Sequence, residues 1–222
     1  MNEADLINIC FHGVGIPHRE LEPGEDAYWI AADSYLLILD EIATWPSARI
    51  SFDDGNASDV EIALPALEQR GLTARFFVLA GRLGSPGSLA QADVRDLADR
   101  GMTVGTHGMS HRSWRGMDQA TRHAEFVEAR HRIEEASGCA VTEAACPLGR
   151  YDRRVLSGLR ELGYERVYTS DRRTGESGRW LQPRFSVHCD DTPGSLRARV
   201  LRKPGPGRRS GEHLVGLIKQ LR

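Results

Sequence analysis

The chain has 222 residues, enough for one large domain or two small ones. Its 29 basic residues nearly balance 31 acidic ones, and hydrophobic residues make up 40% of it, the profile of a globular protein. That balance gives no support to a nucleic-acid-binding or acidic-tail protein. The opening MNEADLINICFHGVG lacks a basic start followed by a long apolar stretch, so no export signal is expected. No run approaches the roughly 20 apolar residues that span a bilayer. The four cysteines, Cys10, Cys139, Cys146 and Cys189, contain no C-x-x-C pair and read as reduced, mostly buried thiols of a cytoplasmic protein.

In chain order, LINICFHGV is a short apolar run and SYLLILDEIA has helical spacing. ARISFDDG is strand-like and ends on paired acids. DVEIALPALEQRG predicts a helix closed by Gly71, TARFFVLAG a strand, and LAQADVRDLADRG a helix closed by Gly101. MTVGTHGMSH runs from a strand into a histidine loop. DQATRHAEFVEARHRIEEASG is a long amphipathic helix closed by Gly138. VTEAACPLG, RRVLSGLRELG and YERVYTS continue as strand, helix and strand. RWLQPRFSVHC is the last predicted strand and PGSLRARVL the last helix, before a low-propensity tail from about residue 203. Apolar strands alternating with amphipathic helices imply βα units around a parallel sheet in one domain, either a doubly wound sheet or a barrel. In both, chemistry sits at the C-terminal ends of strands, where His12, Asp53, Asp54, His107 and His111 all fall.

Alone, Asp53 and Asp54 of SFDDG read as a helix cap and an Asx turn. THGMSH changes that reading. Its two imidazoles can reach one ion from a compact loop, and zinc takes imidazole nitrogen and carboxylate oxygen. Two histidines and one carboxylate leave coordination positions open for water and substrate. Neighbouring residues on an extended chain point in different directions, so one Asp can ligate while the other stays free as a base. A bound metal lowers the pKa of water from 15.7 towards about 7, which makes a carboxylate a sufficient base for amide or ester hydrolysis.

These residues carry a resemblance. SFDDG resembles the TFDDG motif of the polysaccharide deacetylases, the NodB-homology family or carbohydrate esterase family four. GTHGMSH resembles the family's H-[ST]-x-x-H motif, with Gly108 where Ser or Thr is usual. ACPLGRYD looks like the third motif, a loop that walls the substrate groove, and WLQPRFSV is similar to a late leucine-proline-arginine strand. The resemblance implies an α/β fold, an incomplete or distorted (β/α) barrel of about seven parallel strands. It implies Asp53 as catalytic base, a divalent metal on Asp54, His107 and His111, and a groove wall at Pro147 and Tyr151. The metal is most often zinc, with cobalt, nickel or manganese as alternatives. The implied substrate is an acetamido sugar on a polymer, or on a lipid- or nucleotide-linked precursor. A formamide, cyclic amide or ureide hydrolase and a non-catalytic carbohydrate-binding barrel are the rival readings.

Two departures stand out. The third-motif arginine that orients the base aligns with Ala145, leaving Arg150 as the nearby substitute. The late L-x-x-H histidine that protonates the leaving amine has no match, so His12, His188 and His213 compete, in that order. FHGV around His12 resembles a Y-H-x-V pattern of one branch of the family. Among the tryptophans, Trp114 is the first choice for stacking on a sugar ring.

Overall fold

The computed structural model describes residues 5–201. The low-propensity tail and His213 lie outside these residues. A nine-stranded sheet runs through the described chain. Strands β1 (Asp5–Phe11), β2 (Ala48–Asp54), β3 (Ala74–Val78), β4 (Thr103–Thr106), β5 (Glu143–Ala145) and β6 (Arg166–Thr169) lie side by side in chain order, each parallel to the next. A two-residue strand that the sequence did not suggest, β7 (Gly175–Glu176), adds antiparallel to β1. The predicted last strand is broken in two. Its first half, β8 (Leu181–Pro183), pairs with β6, and its second half, β9 (Phe185–Ser186), pairs with β1. Arg184 is the hinge between them. The broken strand therefore spans the gap between the last and first members of the sheet and nearly closes the barrel.

Helices α1 (Ala32–Ala43), α2 (Leu64–Glu68), α3 (Gln91–Asp99), α4 (Gln119–His123), α5 (Ala129–Ser137), α6 (Arg153–Glu161) and α7 (Pro193–Val200) supply the other layer. Two predicted single helices are interrupted by one wide π turn each, at Asp59–Ala63 before α2 and at Ala124–Glu128 between α4 and α5. Such turns are frequent where a helix meets a functional site. The second of them carries Glu125, whose role appears below.

Strand alternation separates two apolar compartments. On the outward face Phe11, Phe52 and Phe76 sit in register on β1, β2 and β3, with ring centroids 5.3 and 4.9 Å apart in stacked pairs. They join the main core together with Tyr35, Ile38 and Leu39 of α1. Burying each such ring is worth roughly 2–3 kcal/mol, so this layer supplies much of the drive to fold. The alternate residues Ser51, Asp53, Phe77, Ala145 and Tyr168 face the barrel interior. Gly105 is required there: a Cβ on it would stand 2.5 Å from the Phe77 ring. The interior thus combines two aromatic rings with a charged pair.

Candidate active site

The site lies at the C-terminal ends of β1, β2 and β4. Strand β2 ends on Asp53 and Asp54, and Asp54 has φ 78°. Left-handed backbone on a residue other than glycine costs of order 1–3 kcal/mol and clusters at functional sites. Gly55 follows at φ 69°. The two left-handed residues in succession turn the chain off the strand, so that Asp54 aims its carboxylate across the strand ends while Asp53 stays on the interior face.

His107 follows β4 directly, and its amide donates to Val78 O at 2.8 Å. The ring lies 2.9 Å, through Nδ1, from Ala145 O. A carbonyl can only accept, so Nδ1 carries the proton and the Nε2 lone pair faces the aspartates. Nε2 lies 3.6 Å from Asp54 Oδ1 and 3.8 Å from Asp53 Oδ2. Burial lowers the His107 pKa to about 4 against the pull of Asp53 and Asp54, which leaves the ring neutral and able to ligate at neutral pH. His111 has φ 48°, presents Nε2 3.4 Å from Asp54 Oδ1, and lies 2.6 Å from Glu22 Oε2 through Nδ1. Both imidazoles are therefore held from behind, one by a carbonyl and one by a carboxylate, the usual outer bracing of metal-ligating histidines.

One ligand atom from each of Asp54, His107 and His111 falls within 4.8 Å of the others. Asp54 is 1% exposed, yet neither of its carboxylate oxygens has a hydrogen-bond partner among the described residues. Burial pushes its pKa up, but the neighbouring imidazoles of His12, His111 and His107 outweigh that and keep it below the ordinary range. A buried, ionised and unpartnered carboxylate opposite two imidazole lone pairs fits a divalent cation of the zinc type. These three residues would hold it.

Asp53 has the opposite surroundings. Arg184, fully buried, donates from two nitrogens to its two oxygens at 2.7 Å each, and a third contact joins Arg184 to Ser51 Oγ at 3.1 Å. The guanidinium sits over the Phe77 and Tyr168 rings, 5.3 and 5.8 Å from their centroids. Burial pushes the Asp53 pKa up; the Arg184 charge, then His107, then the paired hydrogen bonds reverse this and hold the carboxyl well below the usual range. The arginine that orients this carboxylate is thus Arg184 of the PRF stretch. Arg150, the substitute expected from the sequence, is exposed in the third-motif loop.

His12 stands just past β1 and offers a ligand or proton-transfer atom within 4.8 Å of Cys10 and Asp53 atoms. Its Nδ1 is buried without a partner among the described residues. The other candidate acid, His188, follows β9. Tyr28 lies between the two, with ring centroids 5.0 Å from His12 and 4.7 Å from His188. Of the two histidines, His12 is the one that reaches the aspartates.

Pro147 and Tyr151 bound the third-motif loop from within: both are buried, and the Tyr151 hydroxyl donates to Asp171 Oδ2 at 2.7 Å. Leu148 between them is 54% exposed and is the side chain that this loop presents outward. Trp114, expected to stack on sugar, is 1% exposed and packs edge-on against Phe126 instead. Its indole nitrogen donates to Glu125 Oε2, as does the Met109 amide at 2.8 Å, while Ser110 Oγ donates to Oε1. Glu125 is thus the brace of the histidine loop. It also explains Gly108, whose φ is 87° and whose Cβ would fall 2.3 Å from Glu125 Oε2. Of the thiols, Cys10 and Cys146 are buried, whereas Cys139 and Cys189 are exposed, so burial covers half of the expected set.

Glu22, Glu125 and the role of Arg184 escaped sequence reasoning. Only Arg184 left a signal, as the arginine of WLQPRFSV, the stretch similar to a leucine-proline-arginine strand. Among the described residues no helix is long and apolar enough to cross a membrane.

The polysaccharide deacetylase family model matches residues 43–167. YxkH of Bacillus subtilis (strain 168), provisionally named a polysaccharide deacetylase, is 22% identical over 138 residues, which cover 62% of this chain and 50% of that protein. The chain thus spans about half the length of that curated relative. Among solved structures, the Streptococcus pyogenes deacetylase PplD in complex with acetate superposes with a TM-score of 0.75 at 16% identity, over 90% of this chain and 99% of that one. IcaB from Ammonifex degensii gives 0.72 at 19% identity, over 88% and 97%. At these identities the structures speak for the fold, an α/β barrel left nearly closed, and the sequence match speaks for descent: the chain belongs to the polysaccharide deacetylase family.

Proposed function

We propose that the protein is a metal-dependent hydrolase that removes the N-acetyl group from an amino sugar. The observation that carries this is the split between two adjacent aspartates, Asp53 tied to Arg184 and Asp54 left for His107 and His111. The names of the relatives, and the acetate in the PplD structure, support the acyl group. Asp54, His107 and His111 would hold a divalent ion, which when bound would supply Lewis-acid polarisation of the amide carbonyl and lower the pKa of the attacking water.

Asp53 takes the proton from the attacking water. Arg184 keeps it ionised and fixes its plane, at the cost of basicity, so it suits a water already acidified. The two short Arg184 contacts use one lone pair on each oxygen and leave acceptor capacity free. His107 already carries a proton on Nδ1 and would commit its Nε2 lone pair to the ion, so it has no free site for that proton. His12 returns a proton to the leaving nitrogen, since it is the histidine outside the candidate ligand set that comes within reach of Asp53. The amine then leaves as the free sugar amine, and the acyl group as acetate.

The test is deacetylation of acetamido-sugar substrates by the metal-loaded protein and by its Asp53→Asn and His107→Ala variants. Loss of turnover in both is expected. Undiminished acetate release by both pure variants would sink the assignment.

A further inference from the structure

The histidine loop and the third-motif loop both leave the strand ends at the His107–Ala145 contact, and between them lies a cavity of about 460 Å³. Its floor is Trp114, Met117 and Val155, and its rim carries Arg115, Arg122 and Arg154 against a single carboxylate, Asp152. That carboxylate is engaged as the cap of α6, accepting from the Val155 amide at 3.0 Å. None of the three arginines forms an ion pair among the described residues. Elsewhere on the surface some arginines, such as Arg70, Arg100 and Arg197, find a carboxylate and others, such as Arg132 and Arg153, find none among the described residues, so it is the clustering of three guanidinium groups on one rim that sets the cavity apart. The chain as a whole is slightly acidic, so the excess of positive charge here is local.

We infer that this cavity binds the phosphate or diphosphate group of the substrate, and that the sugar acted on is a phosphorylated acetamido sugar. This rests on the deacetylase reading above. Arg115 stands four residues beyond His111, so chain length keeps their backbones within roughly 14 Å. An anion held at the rim therefore lies within a short glycan's reach of the metal-ligating residues. The charge balance selects phosphate: a phosphate monoester carries about −1.5 to −2 at neutral pH, which matches three guanidinium groups offset by one carboxylate, whereas a sugar carboxylate would leave a cationic excess. Guanidinium groups also match the geometry of phosphate oxygens. The apolar floor leaves room for a ring or an acyl chain beside the charged group.

The experiment measures inorganic pyrophosphate binding by calorimetry, and kcat/KM for a short N-acetylhexosamine oligomer carrying a terminal phosphate, its neutral parent and the corresponding oligomer ending in a uronate. It compares the parent protein with R115Q, the triple variant R115Q/R122Q/R154Q, and R132Q as a charge control on an exposed helix face. Removing each exposed guanidinium should weaken binding by about 1.5- to 5-fold. The triple variant should then bind about 3- to 100-fold more weakly, R115Q should show a fraction of that effect, and R132Q none. The preference for the phosphorylated sugar over the neutral one should collapse towards unity in the triple variant. No pyrophosphate binding, equal binding by parent and triple variant, or a preference for the uronate would overturn the proposal. If pyrophosphate binding follows the arginines but the parent hydrolyses none of the three sugars, the anion site stands and the deacetylase reading, with the substrate built on it, falls.

Discussion

Asp53 and Asp54 are neighbours in the chain, both buried, and have opposite surroundings. Asp53 is saturated with charge, since a buried guanidinium grips both its oxygens inside the barrel. Asp54 has no hydrogen bond among the described residues, and two imidazole nitrogens face it at 3.4 and 3.6 Å. Left-handed backbone at Asp54 and Gly55 turns the Asp54 carboxylate across the strand ends, and closure of the barrel brings Arg184 to Asp53 on the interior face. The comparison teaches that adjacent identical residues can be specialised by their surroundings alone. On one side the interior fixes a proton acceptor, and on the other it leaves ionised ligand atoms without partners. Each side can be broken separately.

The largest effect should come from Asp53→Asn. It keeps the shape and removes the proton acceptor, so turnover should fall by about 10² to 10⁴-fold, while metal content, read by elemental analysis, stays near that of the parent. Loss of metal together with activity would show that Asp53 is a ligand and would erase the distinction between the two acids. Next is Arg184→Met. Removing one partner of a buried pair leaves an uncompensated charge and costs about 3–5 kcal/mol, to be read from urea unfolding. In whatever fraction folds, the acid limb of the pH–rate profile should move up, because the charge that holds Asp53 ionised is gone.

Glu22→Gln sharpens the metal side. The residue touches His111 from behind, so metal affinity measured against a competing chelator should weaken by about 10- to 100-fold. An unchanged affinity would reduce the contact to a surface pairing. Gly108→Ser puts in place the side-chain type that the family motif usually carries. It should nonetheless destabilise by about 1–3 kcal/mol, because φ is 87° and Glu125 occupies the space of the new Cβ. A neutral result in thermal melts would mean that the Glu125 brace yields.

A third acid nearby gives the smallest effect. Asp59 is 1% exposed, and burial first, then the charges of Asp54 and Asp53, raise its pKa well above the ordinary value. An acid whose folded pKa lies above its unfolded value destabilises the fold once the pH passes the unfolded value, about 4. In chelator-treated protein, Asp59→Asn should therefore raise Tm, with no gain at the acid end and a growing one towards pH 8. A gain that is the same at both ends of that range would refute the sign.

Much of the scaffold was legible in the chain. Apolar strands alternating with amphipathic helices announced parallel βα units, and β1 to β6 lie where the apolar runs are. Local patterns did less well at the end of the sheet. RWLQPRFSVHC reads as one strand, yet it divides at Arg184 because its halves pair with different partners. The predicted helices over residues 59–71 and 118–138 contain π turns that hydrophobic spacing does not distinguish from α. Trp114 looked available from its place beside the histidine loop, but packing against Phe126 buries it.

What the sequence alone determined is the set of groups that could do chemistry and the strand ends that carry them, since both follow from spacing within a few residues. SFDDG and THGMSH needed no tertiary information to be recognised as a pair. The opposite surroundings of the two carboxylates were decided by closure of the barrel. The Arg184–Asp53 pair joins residues 131 apart in the chain, and the Glu22–His111 contact joins residues 89 apart. Hydrogen bonds over such separations leave no period in a sequence. They exist only because β9 folds back beside β1 and the loop after β1 returns over the strand ends, and at the buried Arg184–Asp53 pair burial strengthens the charge–charge contact enough to hold the carboxylate ionised.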